Sequence, residues 1–329
     1  MVADDEIHLP EIVRQKADQD GDGGSAWAAA LPGILGELCD RWSLTLDEAL
    51  PGASESYVVR ARTSQGRVVV LKVCVFSDDF GARADLLRLA AGDGAVRLLA
   101  VDGRHQALLL EALGADLAAE GRDPLRTLPV VARLLARLWR VPPPASLGPP
   151  VDKAASLGAF VTSLDAALPG TASTRVVDAA LACAARRSAA FDPAACRALH
   201  GDPAAANLLR VLAPREGAPD GYVLCDPQPF VGDPAYDLGV AVRDWVAPLR
   251  ASADPSATMR SWCTVLAGAA GQDVEAVWDW ALLERVATGL YATSLGAPEA
   301  GLGLLQTAEQ LLGERAATPR SSGEGPLHM

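Results

Sequence analysis

The sequence predicts an α+β protein of two unequal parts, a small β-rich N-terminal unit followed by a larger, mainly helical one. Three observations carry this. Strand-like runs of β-branched and apolar residues cluster before residue 112, apolar residues recur at helical spacing from Leu128 onward, and the 329 residues, 50% of them hydrophobic, exceed one usual domain.

Residues 25–42, SAWAAALPGILGELCDRW, have helical spacing, and Pro32 among them predicts a broken or kinked helix because proline lacks the N–H that the ladder needs. Two short runs, Ser43 to Glu48 and Tyr57 to Arg62, flank the small-residue turn PGASES and read as a hairpin. Val68 to Phe76, VVVLKVCVF, is the clearest strand, with Val70, Lys72 and Cys74 on one face. Asp78 to Ala91 predicts a helix that Ser77 caps and Gly92 stops, and VRLLAVDG and HQALLLEAL add two strands. The expected division is an N-terminal unit over 1–112, a helical unit over 113–315 and a disordered tail over 316–329.

In the second unit Val130, Val131, Leu134, Leu135 and Leu138 form one stripe that ends before Pro142. Residues 152–168, 174–191, 234–250, 255–270, 273–295 and 299–315 are further helix candidates. LHGDPAAANLLRVL and DGYVLCDPQPF interrupt them as a loop with short flanking strands.

Twenty-nine basic and 41 acidic residues give a formal charge of −12, which disfavours nucleic acid and anionic membrane surfaces as partners. The surplus suits a cationic ligand, and equally suits a role in solubility. No stretch approaches the roughly 18 apolar residues of a membrane span, and the acidic opening MVADDEIHLPEI is unlike a signal peptide, so a cytoplasmic protein is expected. The six cysteines are dispersed without a CxxC pair, and the four histidines do not cluster with them. Neither a disulfide framework nor a zinc site is expected.

The chemistry concentrates in His200-Gly201-Asp202-Pro203-Ala204-Ala205-Ala206-Asn207, an HxDxxxxN arrangement, with Asp226 following 19 residues after the asparagine at the end of an apolar strand. Phosphoryl transfer asks little covalent help of a protein. It needs an aspartate to orient and deprotonate the attacking hydroxyl, and oxygen ligands to hold Mg²⁺ on the phosphates. Asp202 suits the first task, Asn207 and Asp226 the second. Lys72, inside a strand, is either a solvent-reaching sheet lysine or the cation that grips nucleotide phosphates. The order of strand lysine, helix, LLLEAL, HGDxxxxN and aspartate favours the second reading.

The segments IHLPEI, AWAAALPGILGELCDRWSL, VLKV, GDGAVRLL, LLLEAL, LHGDPAAANLLR and LCDPQPFVGDPAYDL span residues 6 to about 240. In them the chain resembles the aminoglycoside phosphotransferases, and among these the streptomycin 6-phosphotransferase and hydroxyurea phosphotransferase group. The resemblance implies a bilobal protein-kinase-like fold that uses ATP and Mg²⁺. It makes Asp202 the general base, Asn207 and Asp226 the Mg²⁺ ligands and Lys72 the phosphate-binding lysine. It puts Glu111 and Leu113 at the interlobe hinge, where their backbone would meet adenine. It makes Asp237 a brace of the catalytic loop and His200 a residue that orders it.

The chain also departs from the family pattern. The usual loop HGDLHxxN has Pro203 and Ala204 here, so a second histidine is lost. The helix that should carry a glutamate for Lys72 has none, and Asp85 is the candidate in its place. PGASES is no GxGxxG loop; Ser54 and Ser56 either cover the phosphates or belong to a solvated turn, and both readings are open.

For the acceptor, Asp244, Trp245, Asp279 and Glu284 are candidate contacts to a cationic small molecule, with surface charge and core packing as the alternatives. The pair Trp278 and Trp280 predicts one buried and one half-exposed helix face. The expected activity is ATP-dependent transfer to a hydroxyl of an aminoglycoside such as streptomycin, by a monomer or weak homodimer. A kinase of another small alcohol, amine or hydroxyurea-like compound and a nucleotide-binding pseudokinase are the alternatives.

Overall fold

The computed structural model describes residue 14 and residues 21–51, 56–75, 77–121 and 123–313. The expectations for Ser54, for Phe76 as a strand end and for the tail 316–329 lie outside these residues.

Helix α1 (Gly21–Trp42) runs through Pro32, so the broken helix expected from the sequence is corrected. Trp27, Leu31, Leu35 and Leu38 form one stripe that is buried against the adjoining sheet. Burying each such side chain is worth about 1.5–3 kcal/mol, so four of them outweigh the roughly 3 kcal/mol that an interior proline costs.

The sheet that receives this stripe contains β1 (Leu44–Ala49), β2 (Ser56–Thr63), β3 (Val68–Cys74), β4 (Leu98–Asp102) and β5 (Ala107–Glu111), in the antiparallel order β1-β2-β3-β5-β4. Strand periodicity divides β3 between two cores. Val69, Leu71 and Val73 pack with α1, whereas Cys74 joins Leu108 in the core shared with the helical part. Lys72 lies opposite Leu108 in the register and so projects from this second face. Helix α2 (Phe80–Ala90) links β3 to β4; it starts at Asp79 rather than Ser77, whose hydroxyl instead bonds to the Asp79 carboxylate.

The chain leaves this sheet at Glu111 and enters another at Leu113. Strand β6 (Leu113–Asp116) pairs with β8 (Leu208–Val211), which pairs with β9 (Tyr222–Leu224). A smaller ladder joins β7 (Arg197–Ala198) to β10 (Val231–Gly232). The turn after α2 is bonded to the same region: Val96 donates to the Leu224 carbonyl at 2.8 Å, and Gly94 to that of Gly217 at 2.8 Å.

The rest is helical: α3 (Pro124–Leu138), α4 (Lys153–Ala167), α5 (Thr174–Ala189), α6 (Pro234–Ala241), α7 (Val246–Arg250), α8 (Pro255–Ala270), α9 (Val274–Ser294) and α10 (Pro298–Leu311). Helix α9 is the central member and packs on α4, α5, α6, α8 and α10. Trp280 is buried in that core and Trp278 half-buried, as the sequence predicts. Asp123, Asp152, Asp233, Asp254 and Asp273 cap the N-termini of five of these helices. Part of the acidic surplus is thus used in completing helix ends.

One correction here positions the site. The single helix expected over 234–250 is two, α6 and α7, separated by Val242 to Trp245. The buried C-terminal end of α6 is closed from the core, since buried Arg285 of α9 donates to the Val242 carbonyl at 2.8 Å. A cation at a helix C-terminus satisfies its orphan carbonyls and its dipole together. The break turns Arg243 and Asp244 out of the helical register. No helix among the described residues is long and apolar enough to cross a membrane.

Candidate active site

The catalytic-loop candidate starts where β7 ends. Gly201 has φ +85°, and an added Cβ there would lie 1.9 Å from the Gln228 carbonyl oxygen, so only glycine fits the bend between His200 and Asp202. Beneath the bend lies Asp237 of α6, fully buried. It accepts from the backbone N–H groups of His200 and Gly201 and from Trp139 Nε1, each at 2.9 Å. Burial pushes this carboxyl above its ordinary range, and the His200 ring and the three N–H donors act against that rise.

His200 is a second brace. Its Nδ1 accepts from the Asp202 N–H at 3.3 Å, so Nε2 carries the proton and donates to the Cys225 carbonyl at 2.9 Å. Burial lowers its pKa, with Asp237 and Asp202 opposing, and the neutral ring fits this donor-acceptor pattern. One imidazole therefore ties the loop of Asp202 to the segment of Asp226.

Asn207 ends a 3₁₀ turn (Ala205–Asn207) directly before β8. Its Nδ2 donates to the Asp202 carbonyl at 2.8 Å and to Asp202 Oδ2 at 3.1 Å, which leaves its Oδ1 turned away from these bonds. Its backbone carbonyl accepts from Cys225 at 2.8 Å, which holds Asn207 beside the end of β9. Asp226 follows in the left-handed region, with φ +54°. A non-glycine residue held there is strained, and such strain concentrates at functional positions. Its side chain is 45% exposed and receives Lys72 Nζ across the cleft. The surrounding walls push this carboxyl up, but Lys72, then Arg83 and His200, pull harder and hold it below its usual range.

Lys72, Asp202, Asn207 and Asp226 thus come together from three segments far apart in sequence. Asp85 does not join them. It accepts from Arg88 one turn on and from Ser146 Oγ at 2.7 Å, because its face of α2 looks toward the turn at residues 145–147. The cation of α2 nearest the site is buried Arg83, whose Nε donates to Asp79 at 2.8 Å and whose charge stabilises Asp226. Ser56 is corrected too. It is the first residue of β2, sits in the ladder opposite Cys74 and is buried.

Glu111 and Leu113 flank the passage between the two sheets. The Glu111 backbone N–H is engaged by the Arg97 carbonyl at 3.0 Å. Its side chain accepts from Arg97 N at 2.8 Å and from Arg215 at 2.5 and 3.0 Å. Arg215 also donates to the Gly92 and Ala95 carbonyls at 2.7 and 3.1 Å. This buried guanidinium therefore fastens the passage to the turn after α2.

On the far side of Asp202, Oδ1 accepts from Arg243 Nη2 at 3.0 Å. Arg243 forks onto Asp244 at 2.8 and 3.1 Å, and its Nη1 lies 3.8 Å from buried Glu284 of α9. Asp244 and Glu284 are thereby brought to the catalytic-loop candidate. Trp245 and Asp279 are not. Trp245 packs on the core with Nε1 on the Ala241 carbonyl, and Asp279 is occupied by Arg186 at 2.5 Å and has Arg187 at 3.8 Å, on the side of α9 that meets α5. Sequence reading missed Arg243 and Arg215, which lie outside the HxDxxxxN arrangement and reach their partners only through packing.

The model of the family described as aminoglycoside/hydroxyurea antibiotic resistance kinase matches residues 41–296. The chain is 36% identical over 239 residues to a streptomycin 6-kinase of Streptomyces glaucescens, covering 72% of this chain and 75% of that one. It is 30% identical over 236 residues to a hydroxyurea phosphotransferase of Kitasatospora aureofaciens, covering 70% and 67%. Among solved structures it superposes on the GDP complex of an aminoglycoside 2'-phosphotransferase-IIIa variant with a TM-score of 0.58 at 15% identity, over 84% of this chain and 96% of that one. That likeness shows the bilobal protein-kinase-like fold, a β-sheet lobe over a helical lobe. With 256 residues, 41 to 296, inside the family model, the chain belongs to the aminoglycoside/hydroxyurea antibiotic-resistance kinases, phosphotransferases with small-molecule acceptors.

Proposed function

We propose that this kinase transfers the γ-phosphate of Mg·ATP to a hydroxyl of a cationic small molecule, with streptomycin as its acceptor. The observation that carries the reading is the meeting of Lys72, Asp202, Asn207 and Asp226 across one cleft. The names of the relatives support the choice of acceptor.

Each residue has a task that its surroundings suit. Asp202 orients the attacking hydroxyl and accepts its proton; two N–H donors, from Asn207 and Arg243, steer its carboxylate. Asp226 and Asn207 would hold Mg²⁺. The fit is chemical: Asn207 spends its N–H₂ on Asp202 and keeps an oxygen, and Asp226 is an ionised carboxylate open to the cleft. Two protein oxygens suffice for an ion that takes its other ligands from phosphate and water, and when bound it would neutralise charge on the transferring group. Lys72 moves from Asp226 to the α/β-phosphates as the nucleotide enters. Glu111 and Leu113 offer backbone groups to adenine, and Arg215 keeps that passage in place. His200 and Asp237 hold the loop and do not exchange protons with substrate.

Asp244, 46% exposed, faces the acceptor and receives one of its cationic groups. Action in the cytoplasm, as a monomer or weak homodimer, belongs to the same proposal. Purified protein with Mg·ATP and a panel of streptomycin, other aminoglycosides, hydroxyurea and small alcohols tests the reading. Phosphorylated streptomycin at the highest kcat/KM is expected. No streptomycin product, or faster turnover of hydroxyurea, would remove the proposed acceptor.

A further inference from the structure

We propose that Arg243 is a positioning residue of the reaction, aiming Asp202 at the acceptor hydroxyl and setting the spacing between Asp202 and the acceptor-facing Asp244. The role rests on the proposed tasks of Asp202 and Asp244.

The catalytic loop cannot steer Asp202 by itself. Between Asp202 and Asn207 it contains only Pro203 and three alanines, so no side chain there donates a hydrogen bond. Asn207 holds one carboxylate oxygen, at 3.1 Å, and its amide is already committed to the Asp202 carbonyl. The other oxygen would swing about the Cβ–Cγ bond without a second donor. Arg243 supplies it at 3.0 Å, from a segment 41 residues further along the chain.

The guanidinium is itself held, which makes it a gauge rather than a tether. Nε and Nη2 fork onto the two oxygens of Asp244, and the same Nη2 serves Asp202. Its remaining arm points toward buried Glu284, and only 15% of its side chain is exposed. Burial works against the charge on Arg243, but Asp244, Asp202 and Glu284 together outweigh it and keep the side chain a cation. A planar, rigid fork carrying two carboxylates on neighbouring donors fixes their separation, which a flexible ammonium does not. Rotating a reactive group out of line by about an ångström costs up to roughly 10²-fold in rate. A purely structural role, as the counter-ion of Glu284, would leave the chemical step alone.

The test uses the full chain with Mg·ATP and streptomycin, and compares Arg243→Lys with the double variant Arg243→Gln/Glu284→Gln. The lysine keeps a positive charge beside Glu284, and the double variant leaves no buried charge unpaired, so each protects the fold, which melting temperature checks. Arg243→Lys should lower kcat about tenfold and the double variant about 100-fold, with KM for Mg·ATP within about twofold of the unaltered enzyme. The lysine variant therefore rescues part of the loss. Unaltered kcat in either variant, at an unaltered melting temperature, would overturn the positioning role while leaving the phosphotransferase reading intact. Absence of turnover in the unaltered enzyme would instead overturn the reading of the site, and the role of Arg243 with it.

Discussion

On the proposed nucleotide side of the cleft, Lys72, Asn207 and Asp226 each sit at the end or in the face of a strand, and one buried arginine, Arg215, fixes the passage beside them. On the proposed acceptor side, Asp202, Asp244 and Glu284 converge on Arg243 from a loop, a helix break and a central helix. The nucleotide side is built on backbone geometry, so its positions follow from strand period and one strained turn at Asp226. The acceptor side is built on charge, and its shape exists only once distant segments have met. The difference suits the chemistry: a nucleotide's phosphates present the same groups whatever the acceptor, whereas acceptors vary and a charge cluster is readily altered.

The contrast predicts unequal sensitivity. Asp226→Asn removes the partner of Lys72 and a proposed metal ligand together, and should lower turnover about 10³-fold, roughly 4 kcal/mol of barrier, with a raised Mg²⁺ requirement in an ADP-release assay. A loss no larger than that from altering Asp244 would erase the distinction between the two sides. Arg215→Ala should cost stability more than chemistry. It strands the buried Glu111 carboxylate, and breaking such a pair costs about 3–5 kcal/mol, to be read from urea denaturation. Asp244→Asn should raise KM for streptomycin about fivefold and leave KM for Mg·ATP unchanged, since a half-exposed ion pair is worth about 1 kcal/mol.

The smallest effect is a pH dependence. His200 has a lowered pKa in the folded protein against an ordinary value of 6.5, so the unfolded chain binds its proton first as pH falls. Its contribution to stability is complete above about pH 6.5 and declines below it, until the folded ring is protonated as well. Melting temperature should drop between pH 7 and about 5.5, and His200→Gln, which keeps a donor toward Cys225, should flatten that drop.

How far the site was legible in the sequence follows the same division. The face of Lys72 followed from alternation in VVVLKVC, and the loop that carries Asp202 and Asn207 from the HxDxxxxN spelling, because both are decided by neighbours along the chain. The broken helix at Pro32 was misread, since the sequence shows the missing N–H but not the sheet that buries Leu31, Leu35 and Leu38. The continuous helix over 234–250 was misread for the opposite reason. Helical spacing drew attention away from Gly239 and Pro248, and the Arg285 guanidinium that donates to the Val242 carbonyl at the end of α6 comes from another helix. Asp85 was assigned to the site as the stand-in for a helix glutamate and Asp279 for its charge, and each is taken by a neighbour that only packing reveals, Ser146 with Arg88 and Arg186 with Arg187. Arg243 was hidden inside the helix that does not form.

In the proposed reaction Asp202 accepts the acceptor's proton while Lys72, Asn207 and Asp226 hold the nucleotide. Single-turnover transfer from Mg·ATP to streptomycin by Asp202→Asn tests it most directly, with Mg·ATP affinity measured on the same protein by calorimetry. The predicted result is a transfer rate at least about 100-fold below that of the unaltered enzyme, with nucleotide affinity unchanged. An unaltered transfer rate would contradict it.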